Sequence, residues 1–179
     1  MHSYARLLLL LVGMLTIAAP AVAQKHAQTR KGFWFNVGLG WGTLGCDGCG
    51  TRTGALSGGL SLGGTLSSKV LLGVGTTGWS KTESGATLTV GTLDARIRFY
   101  PSAKGGFFLT GGIGAGRIST GITGFGRASE NGGGLVVGVG YDFRVGPMIS
   151  VTPFWNGFAV KTSNSDANVG QIGVSITTH

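Results

Sequence analysis

The residues able to do chemistry in this chain are few and fall into three groups. Cys46-Asp47-Gly48-Cys49 is a C-x-x-C. In a reducing cytosol that spacing suits redox exchange or half of a zinc site. In an exported chain it suits a disulfide closed over an Asp-Gly turn. Only two cysteines exist and no histidine falls within the strand pattern, so no zinc ligand set is assembled. Asp94, Arg96 and Arg98, with Asp142 and Arg144, form the second group. Their alternate spacing puts each set on one face of an extended segment. Charges on an inward face must be paired to be tolerated, so these five are expected to form an internal ion-pair network. Arg117 and Arg127 form the third group, suited to bidentate contact with phosphate. Histidine occurs only at His2, His26 and His179. A hydroxyl nucleophile needs an adjacent base, so no catalytic residue is assigned. No metal or cofactor is expected either: triplets such as Gly112-Ile113-Gly114 open no helix and cannot be a dinucleotide fingerprint.

The elements that position these residues follow from composition. Glycine supplies 36 of 179 residues, charged residues 11% and hydrophobic ones 42%. The glycines keep no three-residue period, which excludes a collagen-like helix. The apolar content excludes a charged disordered chain. Interior helical glycine costs about 1 kcal/mol relative to alanine, which argues against a helical bundle. A net charge of +8 is dispersed singly, as at Lys69, Lys81 and Lys104, and the longest basic run is Arg30-Lys31. No basic patch for nucleic acid results.

Arg6, the apolar run from Leu7 to Ala19 and Ala21-Val22-Ala23 have the layout of a secretory signal peptide over residues 1–23. Residues 24–32 are polar and read as a disordered leader. No later stretch has the ~20 apolar residues of a membrane helix. A mature chain that enters a membrane must therefore do so as a closed barrel, which satisfies its own backbone hydrogen bonds.

From Phe33 the pattern has period two. Eight segments alternate an apolar face with a small or polar one. Phe33, Phe35, Val37, Leu39 and Trp41 share a face in the first; Ile172, Val174 and Ile176 share one in the last. The fourth segment changes parity between Val90 and Leu93, which predicts a β-bulge near Gly91-Thr92. Pro153 hints at another. The pattern predicts an all-β fold over residues 33–178. It is an eight-stranded antiparallel up-and-down barrel, with lipid outside and a tight polar lumen. A soluble secreted β-sandwich binding protein is the alternative; it would need a charged outer surface.

Even connections (66–69, 101–105, 145–147) read as short turns. Odd ones (43–52, 80–85, 119–133, 162–168) read as longer loops, the asymmetry of outer-membrane barrels. Aromatic residues fall near the two rims: Phe33, Trp34, Tyr100, Phe108 and Tyr141 at one end, Trp41 and Trp79 at the other.

Segments such as FWFNVGLGWG and GGLVVGVGYDF give the chain a resemblance to the small eight-stranded outer-membrane barrels of the OmpA/OmpX type. That resemblance implies an integral protein of the Gram-negative outer membrane. Its role would be structural or one of surface interaction. Its partners would be outer-membrane lipid, lipopolysaccharide and the barrel-insertion machinery, with an extracellular partner reached through loops 43–52 and 119–133. Some such barrels modify lipid A and rely on a barrel histidine, which the strand segments here lack. Such barrels often end on Phe or Trp, whereas this chain ends on His179.

Overall fold

The computed structural model describes residues 30–46, 50–122, 124 and 126–179. The expected signal peptide, and the leader as far as residue 29, lie outside the described residues. Nine strands follow in order: β1 (Phe33–Gly45), β2 (Thr53–Ser67), β3 (Val70–Glu83), β4 (Ala86–Phe99), β5 (Phe107–Ile122), β6 (Gly126–Tyr141), β7 (Phe143–Arg144), β8 (Ile149–Lys161) and β9 (Asp166–Thr178). Apart from β6 and β7, each pairs antiparallel with its sequence neighbour, and β1 pairs with β9 to close the wall. Strands β6 and β7 are one stave interrupted at Asp142, and both pair with β8. The result is an eight-staved antiparallel meander barrel.

Period two sorts the side chains. Along β4, Leu93, Ala95, Ile97 and Phe99 face out, while Asp94, Arg96 and Arg98 are buried. The outer wall is a belt of exposed Leu, Ile, Val, Phe and Trp; Ile113 is 71% and Leu39 67% exposed. A water-soluble monomer rarely exposes apolar patches beyond a few hundred Å². This outer surface is therefore not that of a soluble sandwich.

The interior has three layers. Trp34, Leu71, Tyr100 and Phe108 pack at the end that holds Arg30 and His179. A polar middle follows, with Asn36, Thr77, Asp94, Arg96 and Gln171. The far end is apolar: Leu44, Trp79, Val90, Val136, Phe158, Val160 and Val169 pack together, with Leu88 and Ile118 against them. This corrects the expectation of a wholly polar lumen. It also removes the expected bulge in the fourth strand. Register runs unbroken from Ala86 to Phe99, because Leu88 and Val90 point inward into the apolar layer. The shift in register lies instead in β2, between Thr65 and Ser67, and Pro153 pairs with Val174 without one.

Two further expectations change. Trp34, Tyr100, Phe108 and Trp79 lie inside rather than on the rims. Each indole donates to a carbonyl two staves away: Trp34 to Leu72 O at 3.3 Å, Trp79 to Gly42 O at 3.0 Å. The connections are also not short at one end and long at the other. Segment 119–133, expected as the longest loop, is strand at every described residue but Gly124, with Ser119 opposite Ser129 and Arg117 opposite Asn131. Its Gly/Ser/Thr composition supplies little packing, but ladder pairing between backbones needs none. At the β3–β4 hairpin the turn is only Ser84 and Gly85, with φ of 50° and 78°. Positive φ at both central positions suits the right-handed twist of the flanking strands.

Inward glycine makes room for the charged layer. A Cβ on Gly75 would stand 2.6 Å from Arg96 Cζ. That guanidinium is pinned, so Gly75→Ala should cost about 1–3 kcal/mol through overpacking. Urea unfolding of the barrel in detergent would measure it.

Candidate functional site

The five charges expected to form one network are divided in two. Arg96 donates from Nε to Asp94 Oδ1 and from Nη2 to Asp94 Oδ2, both at 2.8 Å. Thr77 and Thr92 complete this group, at 2.9 Å from Arg96 Nη2 and 3.2 Å from Asp94 Oδ2. The second group centres on Asp142, which accepts from Tyr100 Oη at 2.8 Å and Thr152 Oγ1 at 2.7 Å. Arg98 stands between two rings, its Cζ 5.0 Å from the Trp34 centroid and 4.7 Å from that of Phe108. Arg144 turns toward the end of the barrel and donates to the Gly146 and Pro147 carbonyls. A cavity of about 20 Å³ lies beside the charged layer, bordered by Arg96, Arg98, Asn156 and Gln171. That admits about one water molecule. Among the described residues the lumen is filled at both ends, by the ring layer and by the apolar layer.

Both described chain ends fold under the barrel, a feature the sequence reading missed. Arg30, placed in the leader, is buried. It donates to the carbonyls of Ser68 (3.4 Å), Ala103 (3.2 Å) and Gly105 (2.6 Å), and its Cζ lies 3.4 Å from the Tyr100 ring centroid. His179 is buried too, its Nε2 3.6 Å from Asp142 Oδ2. His179 lies just beyond β9, outside the strand pattern as expected, yet its ring is enclosed by the barrel. The inward parity of Ser175 and Thr177 continues to His179, a signal that period two alone contained. Among the described residues no hydroxyl is hydrogen-bonded to this imidazole.

At the far end, Cys46 is disulfide-bonded, while Cys49 lies outside the described residues. Arg52 ties the β1–β2 connection to the wall. It reaches Thr43 O at 2.6 Å, Thr43 Oγ1 at 3.2 Å and Asn168 Oδ1 at 2.7 Å. Among the described residues no group of three His, Cys, Asp or Glu could hold a metal ion.

The staves end unevenly. Outward apolar side chains stop near Val74, Leu93, Ile113 and Leu135, but β3 continues to Glu83, β5 to Ile122 and β6 back to Gly126. From Thr76 to Glu83 the rise is about 23 Å along the strand. Strands β3 to β6 thus carry a polar four-stranded sheet beyond the apolar belt. Residues 126–132 of β6 pair with β5, but the ladder to β8 begins only at Gly133. Glu130, inside that stretch, accepts from Thr162 Oγ1 at 2.7 Å and Asn164 Nδ2 at 3.3 Å. These two hydrogen bonds, the first the larger, hold its partly exposed carboxyl below the usual range. Arg117 and Arg127 share the outward face of the β5–β6 hairpin. Arg117 donates to Ser129 Oγ at 2.8 Å. Gly121 pairs with Arg127, which puts the two arginines about 13 Å apart along the ladder, too far for one phosphate.

Comparison with known proteins gives a consistent picture of the fold. A family model described as outer membrane protein beta-barrel domain matches residues 7–179. The chain is similar to Neisserial surface protein A, with a TM-score of 0.67 at 13% identity, covering 84% of this chain and 98% of that one. It is also similar to Ail, the attachment invasion locus protein of Yersinia pestis, solved with the heparin analogue sucrose octasulfate. There the TM-score is 0.62 at 12% identity, covering 83% of this chain and 99% of that one. At such identities the likeness is one of fold. No curated protein matches this chain.

Proposed function

This chain belongs to the outer membrane protein beta-barrel domain family, and from that premise we propose a sealed, non-enzymatic barrel whose task is contact rather than transport. It is exported through its N-terminal signal peptide and seated by the insertion machinery in the outer membrane of a Gram-negative cell, with its termini toward the periplasm. The observation that carries this reading is the combination of a filled lumen with a polar sheet rising from β3 to β6. The first argues against passage of solute. The second offers a surface that the membrane does not cover, with residues 126–132, paired to β5 but outside the β8 ladder, at its edge. Such edges recognise extended partner strands.

The stretch 119–133 is therefore the proposed contact surface for an extracellular partner, as a paired hairpin instead of a mobile loop. A cysteine at Ala128 should react with a membrane-impermeant maleimide on intact cells. Protection there, with reaction only after lysis, would turn the barrel the other way up.

Arg117, at the upper margin of the apolar belt, is the proposed contact for lipopolysaccharide phosphate; Arg127, nearer the tip, would take a second one. Arg117→Ala with Arg127→Ala should reduce co-purifying lipopolysaccharide several-fold without altering thermal stability. Unchanged retention would remove both residues from the interface. A lipid A-modifying activity is the alternative, and the isolated barrel should leave lipid A unchanged.

A further inference from the structure

We infer that the lumen holds one buried halide ion, bound by Arg98 as the counter-ion of the charged layer. Arg98 is 5% exposed, and its Nε and Nη1 are fully enclosed with no acceptor among the described residues. Trp34 and Phe108 take the faces of the guanidinium through cation–π contact. A ring face attracts the charge but is a poor acceptor for N–H groups. Nη2 is left to face the cavity of about 20 Å³ that Arg98 borders. Arg96 borders the same cavity, and among the described residues no carboxylate does. Gln171 borders it with an enclosed, unpartnered Oε1. A terminal amide turned end for end presents its N–H groups instead, which suits an anion.

Charge decides between an anion and a water molecule. The buried side chains include four cations, Arg30, Arg96, Arg98 and Arg144, against two anions, Asp94 and Asp142. Counting the terminal carboxylate of His179 still leaves one cation over. Asp94 is closed on Arg96, and Asp142 lies in the base with Tyr100 and Thr152. A buried cation without a counter-charge is strongly destabilising. Water fills the space without supplying that charge. Size then selects the anion. Room for about one water excludes sulfate, phosphate and carboxylates, whereas a halide is a single atom little larger than water. The ring layer and the apolar layer fill the two ends of the lumen, so the ion is enclosed as the barrel closes.

The test compares urea unfolding of the mature chain in detergent, in sodium chloride and in sodium gluconate at equal ionic strength. Screening is then the same in both salts, and gluconate is too large for the cavity. Chloride should lower the unfolding equilibrium constant about tenfold, the effect of a ligand at about ten times its Kd. Arg98→Gln should lose that chloride dependence. Lys69→Gln, which removes an exposed cation, should keep it. Crystals of the wild-type barrel grown in sodium bromide should show one anomalous peak within hydrogen-bond distance of the Arg98 guanidinium. Equal wild-type stability in the two salts would overturn the site. So would a chloride dependence that persists in Arg98→Gln, or a bromide crystal with no peak there, which would leave water as the occupant. The bromide peak decides the matter even where Arg98→Gln fails to fold.

Discussion

Asp94→Ala should lower the stability of the barrel by about 3–5 kcal/mol, the cost of leaving a buried charge without its partner. The carboxylate is fully enclosed and takes both donors of the Arg96 fork. Without it, the guanidinium keeps the Thr77 hydroxyl, which offers no compensating charge. No neighbouring carboxylate can substitute, because Asp142 belongs to the separate group at the base. The double variant Asp94→Ala with Arg96→Met should recover most of the loss, since removal of both charges removes the desolvation problem. Equilibrium unfolding in urea of the three proteins gives the comparison. A single-variant loss under 1 kcal/mol would mean that water reaches Arg96 and that the lumen is open.

Val137→Arg is the second large effect, at about 2–4 kcal/mol for a charge near the middle of a lipid-facing wall. Val137 points outward and is 47% exposed, while its neighbour Val136 is wholly enclosed by the apolar layer. On β6 the outward row Leu135, Val137, Val139 places it well inside the apolar belt. Serine 80, also outward but beyond that belt on β3, serves as the control: Ser80→Arg should change stability by only a few tenths of a kcal/mol. Folding titrations into lipid vesicles would separate the two sites. If Val137→Arg is as harmless as Ser80→Arg, the outer wall meets water and the lipid-facing assignment is lost.

Much of this architecture was legible because a barrel strand writes its environment with period two. Phe33 to Trp41 and Leu135 to Phe143 announced their faces. Asp94, Arg96 and Arg98 could be placed inward from their alternation with Ala95 and Ile97. Parity, however, says which residues share a face and not what that face meets. Leu88 and Val90 lie on the inward parity with Asp94, but their apolar character matched the lipid-facing set. The change of character was therefore read as a slip of the strand, when it marks the boundary between the polar and apolar layers inside. The same ambiguity put Trp34 and Trp79 on rims. Their indoles cross two staves inside, and that depends on a register around the barrel that no single segment contains.

The turns were obscured by composition. Ser119 to Gly133 and Ser80 to Gly85 are rich in residues that also build loops, whereas in a closed ladder the backbone carries the pairing and small side chains suffice. The terminal contacts were hidden for a different reason. Arg30 reads as solvated charge and His179 as a frayed end. Their partners are turn carbonyls and an aspartate 37 residues before the C-terminus, brought together only when β1 closes on β9.

Electrophoretic mobility of the urea-washed membrane fraction, with and without boiling, tests the central claim most directly. A closed barrel buried in lipid resists the wash and stays folded in cold detergent. The protein should therefore remain with the membranes and show two mobilities, merging into one on boiling. Release into the urea wash with a single mobility would contradict the account, and the belt of Leu39, Ile113 and Val137 would then have to face something other than lipid.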